Sequence, residues 1–329
     1  MSRNGPDATV KLTPRGNVAA RRRLQRLVLV AMTVLVVAGV GGFFAARTFA
    51  PSPSPTSIAH SPPSVAPLPV LRGEAEILAQ PTDQLVAVRF EPNPQILVLD
   101  FPSLTAQGLA FNRLAAFIEK RGMPRDRVLD DVELTAALEL DHSTVATYYY
   151  GHDYKAEDIA RFYTTARGQN LILGAPEQEL HLLLERAGML VDGANAAVIS
   201  IPRVGSDAFV DASGRASLLR HELSHGEYFT NPIYAGFVRQ FWAEQMTAAD
   251  RAAFRNFLSQ QGYDPENDDL MANETQAHLM HTTDGRYFNA RDCGIPLGRI
   301  NVLREKFVAQ MPHGWLRDVA LASRTTLPE

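Results

Sequence analysis

Residues 27–46, LVLVAMTVLVVAGVGGFFAA, carry no charged side chain. A water-facing helix cannot hold such a run, because every turn would keep apolar surface in water. A helix of this length spans about 30 Å, the hydrocarbon thickness of a bilayer. Arg15, Arg21, Arg22, Arg23 and Arg26 stand before it, with Lys11 and Arg3 further out. Basic residues stay on the cytoplasmic side. The expectation is a single-pass transmembrane anchor in the inner (cytoplasmic) membrane. Residues 1–26 are then a cytoplasmic basic tail, and the C-terminal bulk lies in the periplasm or outside the cell. A cleaved signal peptide is the alternative. The run is longer than a usual signal core, and TFA at 48–50 followed by Pro51 is a poor cleavage sequence, so an uncleaved anchor is preferred.

Residues 47–70 are dominated by proline and serine (PSPSPTSIAHSPPSVAPLP over 51–69). They cannot bury a core and read as an extended linker, with His60 a bystander. The folded part is expected over 71–329. The chain is 46% hydrophobic and 21% charged, with a net charge of −4. This balance gives no reason to expect nucleic acid as partner, and no glycine-rich phosphate loop is present. The single cysteine, Cys293, excludes an internal disulfide and a cysteine zinc cluster. Its neighbours in RDCGIP supply no base, so it reads as structural.

Along the folded part, QLVAVRF (84–90) and QILVLDF (95–101) flank EPNP and read as a hairpin. Residues 103–120 have apolar groups at helical spacing, and 130–140 read as a helix capped by Asp130. TVATYYYGHDY (144–154) is β-branched and aromatic and reads as a strand buried in the core, with Asp153 capping the helix that follows. PEQELHLLLERAGM (176–189) reads as a helix with proline in its first turn and His181 at its boundary. AAVISIPR (196–203) reads as a strand ended by Pro202, and could be an edge strand for peptide pairing. After Asn231-Pro232 the pattern is helical, with Thr247 capping one helix, Asp268 and Asp269 favouring the N-terminal end of another over 267–281, and a last helix over 297–310. The fold class expected is α+β. A mixed α/β half with a small sheet (71–213) precedes a mostly helical half (214–329).

The stretch LLRHELSHGEYF (218–229) lies at that junction. Residues four apart share one helix face, so His221 and His225 can reach one ion, with Glu222 beside them. The chain has nine histidines, and chance alone produces this spacing in roughly one chain in a hundred of this composition. Leu218, Leu219 and Leu223 make the helix core-facing. Buried histidine and glutamate without partners would cost about 1–3 kcal/mol each, which favours a functional reading.

A third ligand should stand on another helix, and ANETQAH (272–278) is the best candidate. Here the chain resembles the gluzincin type of zinc metallopeptidase, in which HExxH is paired with a downstream helix carrying a ligand glutamate, often as NExxA followed by aspartate. The resemblance covers about residues 218–281. It implies a zincin-like fold, a Zn2+ cofactor held by His221, His225 and Glu274, Glu222 as general base, and a peptide or protein substrate. The chain departs from the pattern at His278, where aspartate is common. His278 is an alternative ligand, and His281 shares its helix face. The oxyanion donor is open among Tyr228, Tyr263, Tyr287 and His281, with Tyr228 and His281 expected at the site. The motif specifies water activation and not the bond broken. A non-peptidase metallohydrolase and a non-catalytic anchored interaction domain are therefore the rival readings.

Overall fold

The structure, a computed structural model, describes residues 69–80 and 82–324. The expected basic tail, the anchor and almost all of the linker lie outside the described residues. Among the described residues no helix is long and apolar enough to cross a membrane.

The protein is α+β, with a five-stranded sheet and mostly helical content. The strands are β1 (Val70–Arg72), β2 (Val86–Phe90), β3 (Ile96–Phe101), β4 (His152–Lys155) and β5 (Ala197–Pro202). Their spatial order is β1-β2-β3-β5-β4. The expected hairpin forms: β2 and β3 pair antiparallel, with Val88 opposite Val98. Strand β5 lies parallel to β3, and β4 closes the edge antiparallel to β5. The expectation that residues 196–203 form an edge strand is therefore corrected. β3 and β5 are buried along their whole length. Their near-continuous apolar runs, ILVLDF and AVISIP, are what a strand covered on both faces requires.

The pleat divides these strands between two layers. Leu97, Leu99 and Val198 point to a layer built by α2 (Leu104–Ile118), α4 (Ala156–Gly168) and α5 (Ala175–Arg186), against Phe111, Leu114, Phe162 and Leu184. Helix α3 (Asp131–Leu140) adds Leu138 to this layer, whereas α1 (Glu74–Ala79) packs Ile77 on the opposite face. On the opposite face Ile96, Val98, Ile199 and Ile201 meet Leu219 and Leu223 of α6 (Ala212–Thr230). Each such side chain contributes about 1.5–3 kcal/mol when fully buried. Helix and sheet approach closely here. A Cβ on Gly226 would stand 2.8 Å from Ile96 Cδ1, so a side chain at that position would push α6 off the sheet.

Beyond α6 the chain is helical. Asn231 caps α7 (Pro232–Gln240), which continues as a π-helical turn over Phe241–Gln245. Next come α8 (Ala248–Ser259), α9 (Asp268–Gln276) with a π turn over Ala277–His281, α10 (Ala290–Cys293), α11 (Leu297–Gln310) and α12 (Trp315–Arg324). Thr247 and Asp250 form the expected capping box, and Asn267 caps α9. A core of Tyr234, Trp242, Phe254, Phe257, Met271 and Phe307 joins these helices to Leu218 of α6.

Three further expectations are corrected. Residues 144–154 are a strand only from His152 onward. Thr144–Thr147 form a turn, and Tyr148, Tyr149 and Tyr150 are buried in irregular backbone. β-branched and aromatic composition reported their burial and not their conformation. Asp153 does not cap α4; Lys155 holds that position without a side-chain bond, and Asp153 sits inside β4. The helix at 297–310 is not the last, because α12 follows and Trp315 packs edge-on against Phe90.

Candidate metal centre

Helix α6 is held at both ends. The Asp211 side chain accepts from Gly214 N at 2.8 Å, and Asn231 ends the helix as the next one begins. One turn and a half before the motif, Arg215 Nη1 and Nη2 donate to Asp100 Oδ1 and Oδ2 of β3 at 2.8 and 2.7 Å. With Leu219 and Leu223 committed to the sheet, the i, i+4 rule turns His221 and His225 toward α9.

There the imidazoles converge. His221 Nε2 and His225 Nε2 are 3.0 Å apart, and His225 Nε2 is 3.9 Å from Glu274 Oε1. His221, Glu274 and His278 present ligand atoms within 4.8 Å of one another. The π turn after Gln276 widens the helix, a distortion common at functional sites. Within it His278 Nδ1 lies 3.0 Å from the Glu274 carbonyl oxygen and 3.7 Å from Glu274 Oε2. His281, on the same turn, is buried, and its Nε2 makes no hydrogen bond.

Hydrogen-bond partners decide what the ring nitrogens offer. Thr282 Oγ1 donates its one proton to the Ala277 carbonyl at 3.1 Å. It must therefore accept from His221 Nδ1–H at 2.7 Å. This leaves a lone pair on His221 Nε2, the atom facing His225. Across the pair, His225 Nδ1 faces Asp153 Oδ2 of β4 at 3.8 Å. A carboxylate there favours the tautomer with its proton on Nδ1 and a second lone pair on Nε2. Two lone pairs at 3.0 Å repel, whereas ligands on a tetrahedral ion at about 2.0–2.1 Å stand about 3.3 Å apart.

Charge leads to the same place. His221, Glu222, His225, Glu274 and His278 are all fully buried. Burial holds His221 well below the usual imidazole range, helped by its neighbours His225, His278 and His281. Burial brings His225 down to about 3, partly opposed by Asn273, and His281 likewise to about 3, with Arg220 adding to the effect. All three are thus neutral, the form that binds metals. Burial pushes Glu222 well above the carboxylate range, and Glu119 adds to it. Glu274 is raised by burial, then by Glu222 and Glu119, with the Tyr263 hydroxyl in opposition. None of the four oxygens of Glu222 and Glu274 has a hydrogen-bond partner, and among the described residues no lysine or arginine pairs with either carboxylate. Neutral imidazoles with unpaired buried carboxylates form a donor set that a divalent cation fits.

The second half of the site comes from β4 and the segment before it. Glu222 lies against Gly151, where a Cβ would stand 2.0 Å from Oε1, so only glycine leaves room for the carboxylate. Asp153, Glu222 and His225 form a second group of donor atoms within 4.8 Å of one another. Among the tyrosines, the Tyr228 hydroxyl donates to Asp269 and Tyr287 to the Phe209 carbonyl, so both are committed elsewhere. Tyr263 is the tyrosine whose hydroxyl acts on Glu274. The structure therefore brings together His221, Glu222, His225, Glu274, His278 and His281, and leaves Tyr228 outside. Sequence reasoning missed Gly151, Asp153 and Thr282. His152 stacks on Phe111 in the core. No known protein family, curated protein or solved structure matches this chain.

Proposed function

We propose that this chain is a zinc-dependent hydrolase with a zincin-like site, acting on peptide or protein substrates and held at the membrane by residues 27–46. The observation that carries this reading is the convergence of two imidazole Nε2 lone pairs, 3.0 Å apart, on the carboxylate of Glu274. His221, His225 and Glu274 would hold the ion, with His278 as the alternative donor. Bound zinc would supply Lewis acidity at the carbonyl and lower the pKa of water toward 7.

The protein's own groups do the rest. Glu222, whose pKa burial raises well above the carboxylate range, takes a proton from the attacking water as the water oxygen bonds to the carbonyl carbon. It returns that proton to the leaving amine as the C–N bond breaks. Thr282 and Asp153 hold the two imidazoles in the tautomers that present Nε2. The Tyr263 hydroxyl, which acts on Glu274, and His281, whose Nε2 makes no hydrogen bond, would serve as the oxyanion donors. Every one of these ligand side chains is buried, so substrate entry requires residues 144–151, which lie on Glu222 through Gly151, to move away.

Complete burial favours one second reading. With His278 as a fourth donor the centre is closed, as structural zinc sites are, and it would serve to pin α6 to α9.

Whole-chain protein purified gently at low free zinc should carry close to one zinc per chain by elemental analysis. His221→Ala and Glu274→Ala should lose it. Glu222→Gln should keep the metal and lose peptide-library hydrolysis by at least about a hundredfold. Wild-type protein without metal would defeat both readings. Metal with no hydrolysis in either protein, and a lower Tm after chelation, would establish the structural reading. Metal content unchanged by His221→Ala would favour an interaction domain.

A further inference from the structure

His225 stands between two groups of buried donor side chains. Its Nε2 edge faces Glu274 Oε1 at 3.9 Å and His221 Nε2 at 3.0 Å. Its Nδ1 edge faces Asp153 Oδ2 at 3.8 Å, and Glu222 completes that second group. The reading above uses the first edge for metal and gives Glu222 to proton transfer. It leaves Asp153 and Glu222, two buried carboxylates, within 4.8 Å of one another beside His225.

We infer that Asp153, Glu222 and His225 form a second, weaker zinc position whose occupation removes Glu222 from proton transfer and so inhibits the enzyme. The inference rests on the proposed hydrolase reading and adds a mode of regulation to it.

Three observations support it. All three side chains are fully buried, and both Glu222 oxygens lack a hydrogen-bond partner. A buried carboxylate without a donor is the group a cation satisfies best. The three donor atoms already lie within 4.8 Å of one another. Atoms around one zinc ion stand about 3.3 Å apart, so each pair has to draw in by no more than about 1.5 Å. Finally, Gly151 fixes where the Glu222 carboxylate lies, since a Cβ on Gly151 would meet Oε1 at 2.0 Å.

Donor spacing sets the order of loading. The second position must draw its donors together from as much as 4.8 Å, whereas the first already has His221 Nε2 at 3.0 Å and Glu274 Oε1 at 3.9 Å from His225 Nε2. That cost makes the second position fill after the first and at higher free zinc. Once filled, it takes the Glu222 lone pairs that would accept a proton from water, and hydrolysis falls while the first ion stays in place. Zinc availability would then set activity through a single carboxylate.

The test uses the whole chain in mild detergent, equilibrated against buffered free Zn2+ and assayed for zinc per chain and for peptide hydrolysis. Wild type is expected to pass from one to two zinc per chain as free zinc rises. Hydrolysis should fall at least tenfold over the same range. Asp153→Asn and Glu222→Gln, both near-isosteric, should stop at one zinc per chain. Asp153→Asn, whatever its starting rate, should show no inhibition by added zinc. Its first-ion affinity should drop about 10–100-fold, as loss of a group orienting a ligand histidine does. A wild type that stops at one zinc, or variants that still take up the second, overturn the inference and leave the hydrolase reading standing. Two zinc ions with hydrolysis undiminished overturn the inhibitory role. Two zinc ions with no hydrolysis at any zinc level keep the position and remove the hydrolase reading. No zinc at all removes both.

Discussion

Two buried acidic centres flank the same helix, and they differ in one respect. At the first, Asp100 accepts from both Nη atoms of Arg215 and from Thr82 Oγ1 at 2.9 Å. Arg215 also donates to the Pro202 and Ile77 carbonyls at 2.7 and 3.0 Å. Every charge there has an internal partner. At the second, two turns along α6, Glu222 and Glu274 are as deeply buried but have no cationic side chain and no hydrogen bond. A buried charge persists only if something compensates it. The first centre is complete within the chain, and the second lacks a compensating cationic side chain among the described residues. One joins helix to sheet, and the other is available for chemistry.

This contrast predicts opposite signs for similar substitutions. Arg215→Met strands the Asp100 carboxylate and should cost about 3–5 kcal/mol, a fall in Tm of about 6–20 °C for a domain of this size. Glu274→Leu removes a carboxyl that has no partner. In metal-free protein it should stabilise by about 1–3 kcal/mol, while abolishing the metal-dependent gain in Tm. Thermal unfolding with and without chelator measures both. If Glu274→Leu destabilises the metal-free chain, the two centres are alike and the contrast fails.

Gly151→Ala sharpens the comparison within the second centre. Its Cβ would displace the Glu222 carboxylate, so hydrolysis should drop about tenfold or more. The expected stability cost is about 1–3 kcal/mol, in the range of overpacking. A variant with wild-type kcat/KM would show that the carboxylate does not act from this position.

The effect confined to the narrowest conditions concerns acid pH. His152 is brought down to about 3 from an ordinary 6.5 by burial. Because its folded pKa is depressed, the unfolded chain binds the extra proton first. Stability therefore falls as pH drops from about 6.5 toward about 3, by up to about 1.4 kcal/mol per pH unit from this group. His152→Phe keeps the stack on Phe111 and should flatten the acid limb of Tm against pH by that amount. An unchanged limb would mean that His152 is not held neutral in the fold.

Much of the architecture was legible in the chain. The hairpin, the helix within 103–120, the capping box of Thr247 and Asp250, the helix with Asp268 and Asp269 in its first turn and the apolar face of α6 all follow from neighbours within a few residues. So does the alignment of His221 with His225, because four residues make one helical turn. Where reading failed, the deciding contact was distant. Tyr148–Tyr150 carry strand composition but pack as irregular backbone, since their burial comes from helices around them. AVISIP looks the same at an edge or in the middle of a sheet, and only strand order places it between β3 and β4.

The sequence by itself determined which helix would carry the two histidines and which helix could carry the third donor. Only the tertiary structure decided how those donors are completed. Asp153 reaches His225 because β4 pairs on the far side of β5. Thr282 reaches His221 because α9 ends in a π turn. Gly151 makes room for Glu222, and Tyr263 is the tyrosine at the carboxylates, because of how a loop and a helix end pack. Spacing along a helix is set by covalent geometry and is legible residue by residue. Contacts between elements far apart in the chain are set by which apolar faces bury one another, and they exist only once the whole core has formed.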